Sequence, residues 1–465
     1  MIHLFKQYFS IRKAIFILGE AVLIFGAVTI AAFVVMGREN DIQTLLEFNW
    51  FEICLVTVVA QLSLYFNDLY DIQPGGNMVD LATRLIQSVG ITSIVLAIIY
   101  FLWPDMIVGR WIFFVSIIFL LFFLVSWRLL YAYAVHKKLF AEKALILGDG
   151  ELAADLLEEI RARRDISYDI RLIVGKENRE LSRDNLQGIP VKYGFDALCD
   201  LAVAEQVSNI IVALDQKRGV MPFKELLNCK VRGISIIDGE SFYERVTGKL
   251  LVEKINPSWL IFSDGFVKSP VAKFVKRLVG FVLSSIMLIL LSPLILIVSM
   301  AIKLNSKGPV LFSQERVGED GKIFTIYKFR SMKADAEAQC GPVWAEEDDP
   351  RITRVGRIIR KLRIDELPQL WNVLKGDMSI VGPRPERPFF VEKLKEKIPY
   401  YKERFAVKPG VTGWAQVKYP YGATEKDALE KLKYDLYYIK NMSLIMDLMV
   451  IFHTVKIVLL GRGSR

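Results

Sequence analysis

Four apolar blocks, at about residues 14–36, 50–66, 84–103 and 111–134, constrain this chain more than any other feature of its first 138 residues. Each approaches the roughly 20 residues that a helix needs to cross the hydrocarbon core of a bilayer. Within lipid an irregular segment cannot replace a helix, because its backbone polar groups would find no partners. Flanking charges give a direction. Lys6, Arg12 and Lys13 precede the first block, Arg128, His136, Lys137 and Lys138 end or follow the fourth, and the connection GRENDIQTLLE is net acidic. By the positive-inside rule both ends of this four-helix region face the cytoplasm, and the chain beyond about residue 137 begins there. The start MIHLFKQYFSIRKAIFILGEAVLIF has the basic lead and apolar run of a signal peptide. Without a clean small-residue cleavage site, and with further spans behind it, it reads as a retained first helix.

A fifth block, LVGFVLSSIMLILLSPLILIVSMAI at 278–302, is also long enough to span. Its flanks argue for re-entry instead. Lys273, Lys276 and Arg277 precede it and Lys303 and Lys307 follow, so a crossing would strand one basic cluster on the wrong side. Ser292 and Pro293 sit near its middle; the proline removes a backbone donor and the serine hydroxyl is placed to satisfy a freed carbonyl. The expected course enters, bends and returns.

A chain of 465 residues has room for about three domains of the usual ~150 residues. Its net charge of +9 clusters beside the apolar blocks, which points to anionic lipid or phosphate as partners and away from nucleic acid. Cys54, Cys199, Cys229 and Cys340 show no metal-site spacing, as in a reducing compartment. The divisions expected are 1–138 as a four-helix transmembrane region, 139–265 as a Rossmann-like α/β domain and 266–465 as a catalytic α/β domain containing the re-entrant helix.

The middle segment earns its assignment from alternation: KALILGDGELAADLLEEI, YDIRLIVG, VSNIIVALD and GISIID read as strands and helices of a parallel sheet. GDGELA places Gly148 and Gly150 at a strand-to-helix turn that would suit a pyrophosphate. A tight packing turn needs the same glycines. The second strand ends in LIVGKENR, with no clean acidic residue to hold a ribose, so both readings stand.

Chemistry concentrates near residue 365. The run DPRITRVGRIIRKLRID carries Arg351, Arg354, Arg357, Arg360, Lys361 and Arg363 with no acid among them, and Val355, Ile358, Ile359 and Leu362 on the other face. That is the pattern of a helix lying in a membrane interface. DELPQLWNVLKG then starts a new helix, with Asp365 as N-cap, Pro368 in the first turn and Gly376 at the exit. Neighbouring cations and the helix dipole favour the Asp365 anion. Together with Glu366, Lys328 and Arg330 of IYKFRSM, and Arg384 on the stiff turn IVGPRPE, this suggests metal-assisted phosphoryl transfer.

These segments, with FSQERVG at 312–318, DDPRITRVGRIIRKLRIDELPQLWNVLKGDMSIVGPRPE at 348–386 and KPGVTGWAQV at 408–417, resemble the bacterial polyprenyl-phosphate hexose-1-phosphate transferases. These monotopic phosphoglycosyl transferases begin exopolysaccharide, capsule or O-antigen repeat units. The resemblance runs in order over about 270–465. The N-terminal half resembles more loosely the large members, which add four membrane helices and a Rossmann-like domain. It implies a UDP-sugar donor, a polyprenyl phosphate acceptor, Mg²⁺, and a multi-pass protein of the bacterial cytoplasmic membrane with its catalytic domain on the cytoplasmic face. A homo-oligomer is compatible with the sequence, which does not specify the oligomeric state. By the resemblance Asp365 is the nucleophile, Asp365 and Glu366 hold Mg²⁺, Arg360 and Arg384 contact phosphate, and Asp435 is a further acidic site residue. Lys328 and Arg330 suit phosphate contacts or an ordinary strand surface, and Trp414 suits either uracil stacking or plain packing, next to a turn made by Gly410 and Gly413. A carboxylate nucleophile needs no general base, in keeping with a chain that has only three histidines. Two other classes compete: a non-catalytic membrane scaffold, and an NAD enzyme, for which YERVTGK and YIKNM both lack the Tyr-x-x-x-Lys spacing. The identity of the hexose leaves no readable motif.

Overall fold

The computed structural model describes residues 2–4, 7–9, 11–36, 50–70, 78–107, 109–137, 141–162, 168–176, 188–217, 219–254, 266, 269–333, 351–420, 422 and 424–460. Lys6, Lys138 and Cys340 lie outside them. By packing the chain divides into two compact units, with the boundary between Phe242 and Tyr243.

In the first unit the apolar blocks form α1 (Ile11–Met36), α2 (Trp50–Phe66), α3 (Met78–Leu102) and α4 (Arg110–His136). Three of them are long and apolar enough to cross a membrane, whereas α2 is a shorter apolar helix of 17 residues. All four contribute to shared cores, one around Phe16, Ala60, Leu85 and Leu124, another around Val28, Val56, Leu96 and Ile112. Their outer faces stay apolar and exposed, as at Leu18, Val22, Ile94 and Ile118. Glu20 and Arg128 are buried among these helices and meet at 2.7 Å, with Arg128 also donating to the Leu69 carbonyl.

The α/β part follows with β1 (Glu142–Leu147), α5 (Glu151–Ala162), β2 (Tyr168–Gly175), β3 (Val191–Tyr193), α6 (Leu198–Ala204), β4 (Asn209–Val212), α7 (Phe223–Val231), β5 (Ser235–Asp238) and α8 (Gly239–Thr247). The five strands are all parallel in the order β3-β2-β1-β4-β5. Their near-continuous apolar runs suit strands covered on both faces, and Ala144–Leu147 and Asn209–Val212 are wholly buried. The order reverses direction between β1 and β4, which is where open parallel sheets receive ligands.

The second unit begins at Tyr243 because the end of α8 and the chain after it pack on downstream helices. Glu244 accepts from Lys440 and Asn441, and the Gly248 carbonyl accepts from Trp414. Then come α9 (Pro270–Leu290) and α10 (Ser292–Asn305), bent by 62° at the break. Pro293, which has no N–H to donate to the Ile289 carbonyl, stands in the first turn of α10, and the Ser292 hydroxyl donates to that carbonyl.

An antiparallel ribbon, β6 (Leu311–Val317) with β7 (Ile323–Phe329), leads to α11 (Arg354–Lys361), a 3₁₀ turn (Ile364–Glu366) and α12 (Gln369–Lys375). A short parallel pair, β8 (Ser379–Val381) with β9 (Gly410–Thr412), brackets α13 (Pro388–Lys397). The turn expected at Gly410 and Gly413 is therefore a strand and its exit. Gly410 is required there, since a Cβ would stand 2.1 Å from the Gly382 nitrogen. The helices α14 (Trp414–Lys418), α15 (Glu425–Asn441) and α16 (Leu444–Leu459) complete a core around Val391, Tyr401, Leu436 and Val450.

Candidate active site

The site is assembled where the basic helix ends. Thr353 caps α11 by accepting from the Gly356 nitrogen, and the helix lies so close to the end of β7 that a Cβ on Gly356 would meet the Ser331 carbonyl at 1.9 Å. The apolar face expected on this helix divides. Ile359 is buried with Val298, Ile302 and Phe329, and Val355 packs against them, whereas Ile358 and Leu362 remain exposed. Arg363 adopts a left-handed φ of 55°, unfavourable for a side chain with a Cβ, and this turns the chain sharply. Asp365 and Glu366 follow in the 3₁₀ turn. Asp365 is thus not the N-cap of α12; Pro368 occupies that position, and Gly376 closes the helix with φ 100° as expected.

Docking of α12 fixes the turn from behind. Asn372 uses both ends of its amide on β7, accepting from the Tyr327 nitrogen and donating to the Thr325 carbonyl. Arg277 of α9 donates to the Val373 and Leu374 carbonyls, and Lys408 to that of Gly376 at 2.8 Å, so cations meet the negative end of α12. Lys276 is held by Asp447 and donates to Tyr438 at 2.6 Å. Lys276 and Arg277, expected to flank the re-entrant block on one membrane face, are thus bonded within the protein.

The two carboxylates differ in surroundings. Glu366 is buried, and one oxygen lies 2.8 Å from both Lys328 and Arg384 while the other lies 3.9 Å from Arg363. Burial opposes its charge, but Arg384, Lys328 and Arg363 outweigh that and hold it well below the ordinary carboxylate value. Burial also lowers the Lys328 ammonium from its ordinary value, against the pull of Glu366. Asp365 is half-buried, and among the described residues no hydrogen bond reaches its carboxylate. Burial, then the Glu366 charge, raise it to about 6, opposed by Lys328, Arg360 and Arg384. At neutral pH it is an anion without a hydrogen-bond partner among the described residues, which suits a nucleophile. No group of three or more His, Cys, Asp or Glu is arranged to hold a metal among the described residues. A Mg²⁺ here would need oxygens from phosphate and water besides these two carboxylates, its usual manner of binding.

Three expected contacts lie elsewhere. Strand periodicity would place Lys328 and Arg330 on one face, but β7 ends at Phe329, and Arg330 turns to the Ser306 and Lys307 carbonyls, capping α10. Asp435 is 2% exposed and paired at 2.8 Å with Arg404, a residue without any sequence signal. Burial raises the Asp435 carboxyl to about 6, with Arg404 opposing. Trp414 is a packing residue, stacked on Tyr437, beside His453 and bonded to Gly248.

The glycine turn of the first unit is also occupied. Gly148 has φ 134°, and a Cβ there would lie 2.2 Å from the Ala213 carbonyl. A Cβ on Gly150 would lie 1.9 Å from an Asp215 oxygen. The Asp215 carboxylate accepts from the Glu151 and Leu152 nitrogens, at 3.0 and 3.1 Å, which are the donors a pyrophosphate would use at this helix N-terminus.

Residues 271–461 match the family described as bacterial sugar transferase, and residues 65–236 a CoA-binding domain. With the Asp215 carboxylate on the Glu151 and Leu152 amides, this helix N-terminus does not fit a diphosphate such as that of CoA. Among curated proteins the chain is 44% identical over 240 residues to a UDP-N-acetylgalactosamine-undecaprenyl-phosphate N-acetylgalactosaminephosphotransferase of Aeromonas hydrophila, covering 52% of this chain and 56% of the relative. It is 44% identical over 191 residues to the UDP-glucose:undecaprenyl-phosphate glucose-1-phosphate transferase of Escherichia coli K12, covering 40% of each. An exopolysaccharide production protein of Rhizobium leguminosarum is 44% identical over 173 residues, 36% of this chain and 86% of that protein. The match thus spans about half or less of the first two relatives and most of the third.

Proposed function

Since this chain belongs to the bacterial sugar transferase family, we propose that it transfers a hexose-1-phosphate from a UDP-sugar to polyprenyl (undecaprenyl) phosphate, as the first membrane step of an extracellular polysaccharide. One observation carries this reading: a half-buried Asp365 carboxylate, without a hydrogen bond among the described residues, facing cations while its neighbour Glu366 is paired with Lys328 and Arg384. An Asp365 oxygen attacks the β-phosphorus of the donor, the bond from that phosphorus to the bridging oxygen breaks, and UMP leaves with the electron pair. The sugar-phosphate is then held on Asp365. An oxygen of polyprenyl phosphate attacks the same phosphorus, the Asp365 bond breaks, and polyprenyl-diphosphate-sugar forms. Arg360, Arg384 and Lys328 favour the charge on the phosphoryl oxygens. Asp365 and Glu366 would hold Mg²⁺, which offsets diphosphate charge as a hard Lewis acid.

In this reading α1–α4 form a transmembrane bundle, and α9 with α10 enters and leaves the cytoplasmic leaflet of the inner membrane. Support comes from docking: Arg277 near the start of the helix pair and the carbonyls just past its end are both bonded to the same catalytic fold. Exposed apolar side chains at Phe274, Ile289, Leu296 and Met300, and at Trp371 beside the site, suit lipid contact. Relatives of equal identity carry the names of different sugars, so the hexose stays open.

The test is to incubate purified protein and polyprenyl phosphate with a panel of UDP-sugars and measure UMP, then to trap labelled sugar-phosphate on the peptide containing Asp365. Excess EDTA is expected to silence release. No UMP from any donor would leave the scaffold reading in its place.

A further inference from the structure

Arg384 reaches Glu366 from a turn whose carbonyls are all held, each from a different place. Pro383 accepts from the Gly410 nitrogen at 2.9 Å, Arg384 from Arg404 at 3.1 Å, Pro385 from Arg316 at 3.0 Å and Glu386 from the Val317 nitrogen at 3.0 Å. Two of these donors are ordinary backbone, and of the two side chains Arg404 is the deeper. Its side chain is 6% exposed, and its other contacts are the Tyr401 hydroxyl at 2.6 Å and Asp435 at 2.8 Å. A guanidinium so placed is costly unless a charge and several acceptors meet it. Asp435 supplies the charge, and the Arg384 carbonyl is one of the acceptors.

Resting on the proposed reaction, we propose that Arg404 and Asp435 are positioning residues: a buried ion pair that fixes the backbone of Arg384 and so aims its guanidinium at Glu366 and the donor diphosphate. Asp435 therefore acts through Arg404 and does not touch substrate. A fork with two donating arms is needed, because one nitrogen of Arg404 serves both Asp435 and the turn while the other serves Tyr401. Lysine keeps the charge opposite Asp435 but loses this geometry.

The experiment is a double-mutant cycle on kcat for UMP release by the full-length protein in lipid, with thermal unfolding measured on every variant. Arg404→Lys alone is expected to lower kcat by about 10²-fold, the scale of a misplaced catalytic group. In the Arg384→Ala background the same change should cost nothing further, because the group it aims is gone. Should Arg404→Lys not fold, the neutral pair Arg404→Gln with Asp435→Asn removes both buried charges together and is carried through the same cycle. Equal losses in both backgrounds, or an unchanged kcat in the single variant, would overturn the assignment. A wild type that releases no UMP would instead fail the reaction on which it rests, so the two failures are distinct.

Discussion

Two places in this molecule could receive a phosphate, and they treat a carboxylate in opposite ways. At the reversal point of the parallel sheet, Asp215 turns inward and takes the free amides at the start of α5. Beyond α11, Glu366 absorbs nearby cations while Asp365 is left without a hydrogen bond among the described residues. The first arrangement is self-satisfied: the Glu151 and Leu152 amides already hold an anion. The second leaves Asp365 short of hydrogen bonds among the described residues, and burial together with the Glu366 charge raises its carboxyl to about 6. A glycine-rich turn therefore says little about ligands until the residue facing it is known.

Asp365→Asn breaks this comparison hardest. It should lower UMP release on the order of 10⁴-fold or more, as loss of a nucleophile does in other enzymes. The same variant should unfold at a higher temperature than wild type at pH 8. The sign follows from the raised carboxyl. Between about pH 4 and 6 the folded state keeps a proton that the unfolded state has lost, so wild-type stability falls as pH rises through that window. Asparagine carries no such charge, and its advantage should vanish near pH 4. A variant as stable as wild type at both pH values would mean that Asp365 is not kept short of partners.

Truncation separates the two units. A protein lacking residues 1–242 should remain membrane-bound and release UMP within about tenfold of the full chain, as a domain with its own core can. Removing 1–265 should also lower its unfolding temperature, since Glu244 and Gly248 brace Lys440, Asn441 and Trp414. Complete loss of activity in a folded 243–465 fragment would place part of the catalysis in the first unit.

Asp215→Ser should have the smallest effect. It removes two charge-assisted bonds, costing about 1–2 kcal/mol of stability in thermal unfolding, and leaves UMP release unchanged. Calorimetry with CoA should show no binding to the wild type; micromolar binding would contradict the filled turn.

Sequence alone located the apolar helices, with ends off by up to eight residues, because apolar length and flanking charge are local properties. It also brought Lys328, Arg384, Asp365 and Glu366 into one site, since a dyad inside a basic run is visible without coordinates. It failed where a side chain's direction depends on where an element stops. Arg330 is one residue past the end of its strand, and Asp365 one turn before its expected helix. It failed too for partners distant in sequence: nothing in YKERFAV marks Arg404 as buried, and nothing near Gly150 announces Asp215. Lys276 and Arg277, read as a membrane flank, also serve as internal bolts, a role that depends on partners distant in sequence.

Those bolts bear on how a lipid-linked reaction is supplied. With Arg277 fastening the first helix of the bent pair to α12, and Arg330 fastening the end of the second to β7, the catalytic turn has no slack relative to its anchor. On the proposed reaction and anchoring, we infer that such an enzyme does not lean into the bilayer to collect its acceptor, which then arrives by lateral diffusion. Encounter is then a two-dimensional search, and turnover would follow the surface density of the carrier lipid rather than its amount per volume. Diluting that lipid with inert bilayer at constant total concentration should slow the second half-reaction and leave the first untouched.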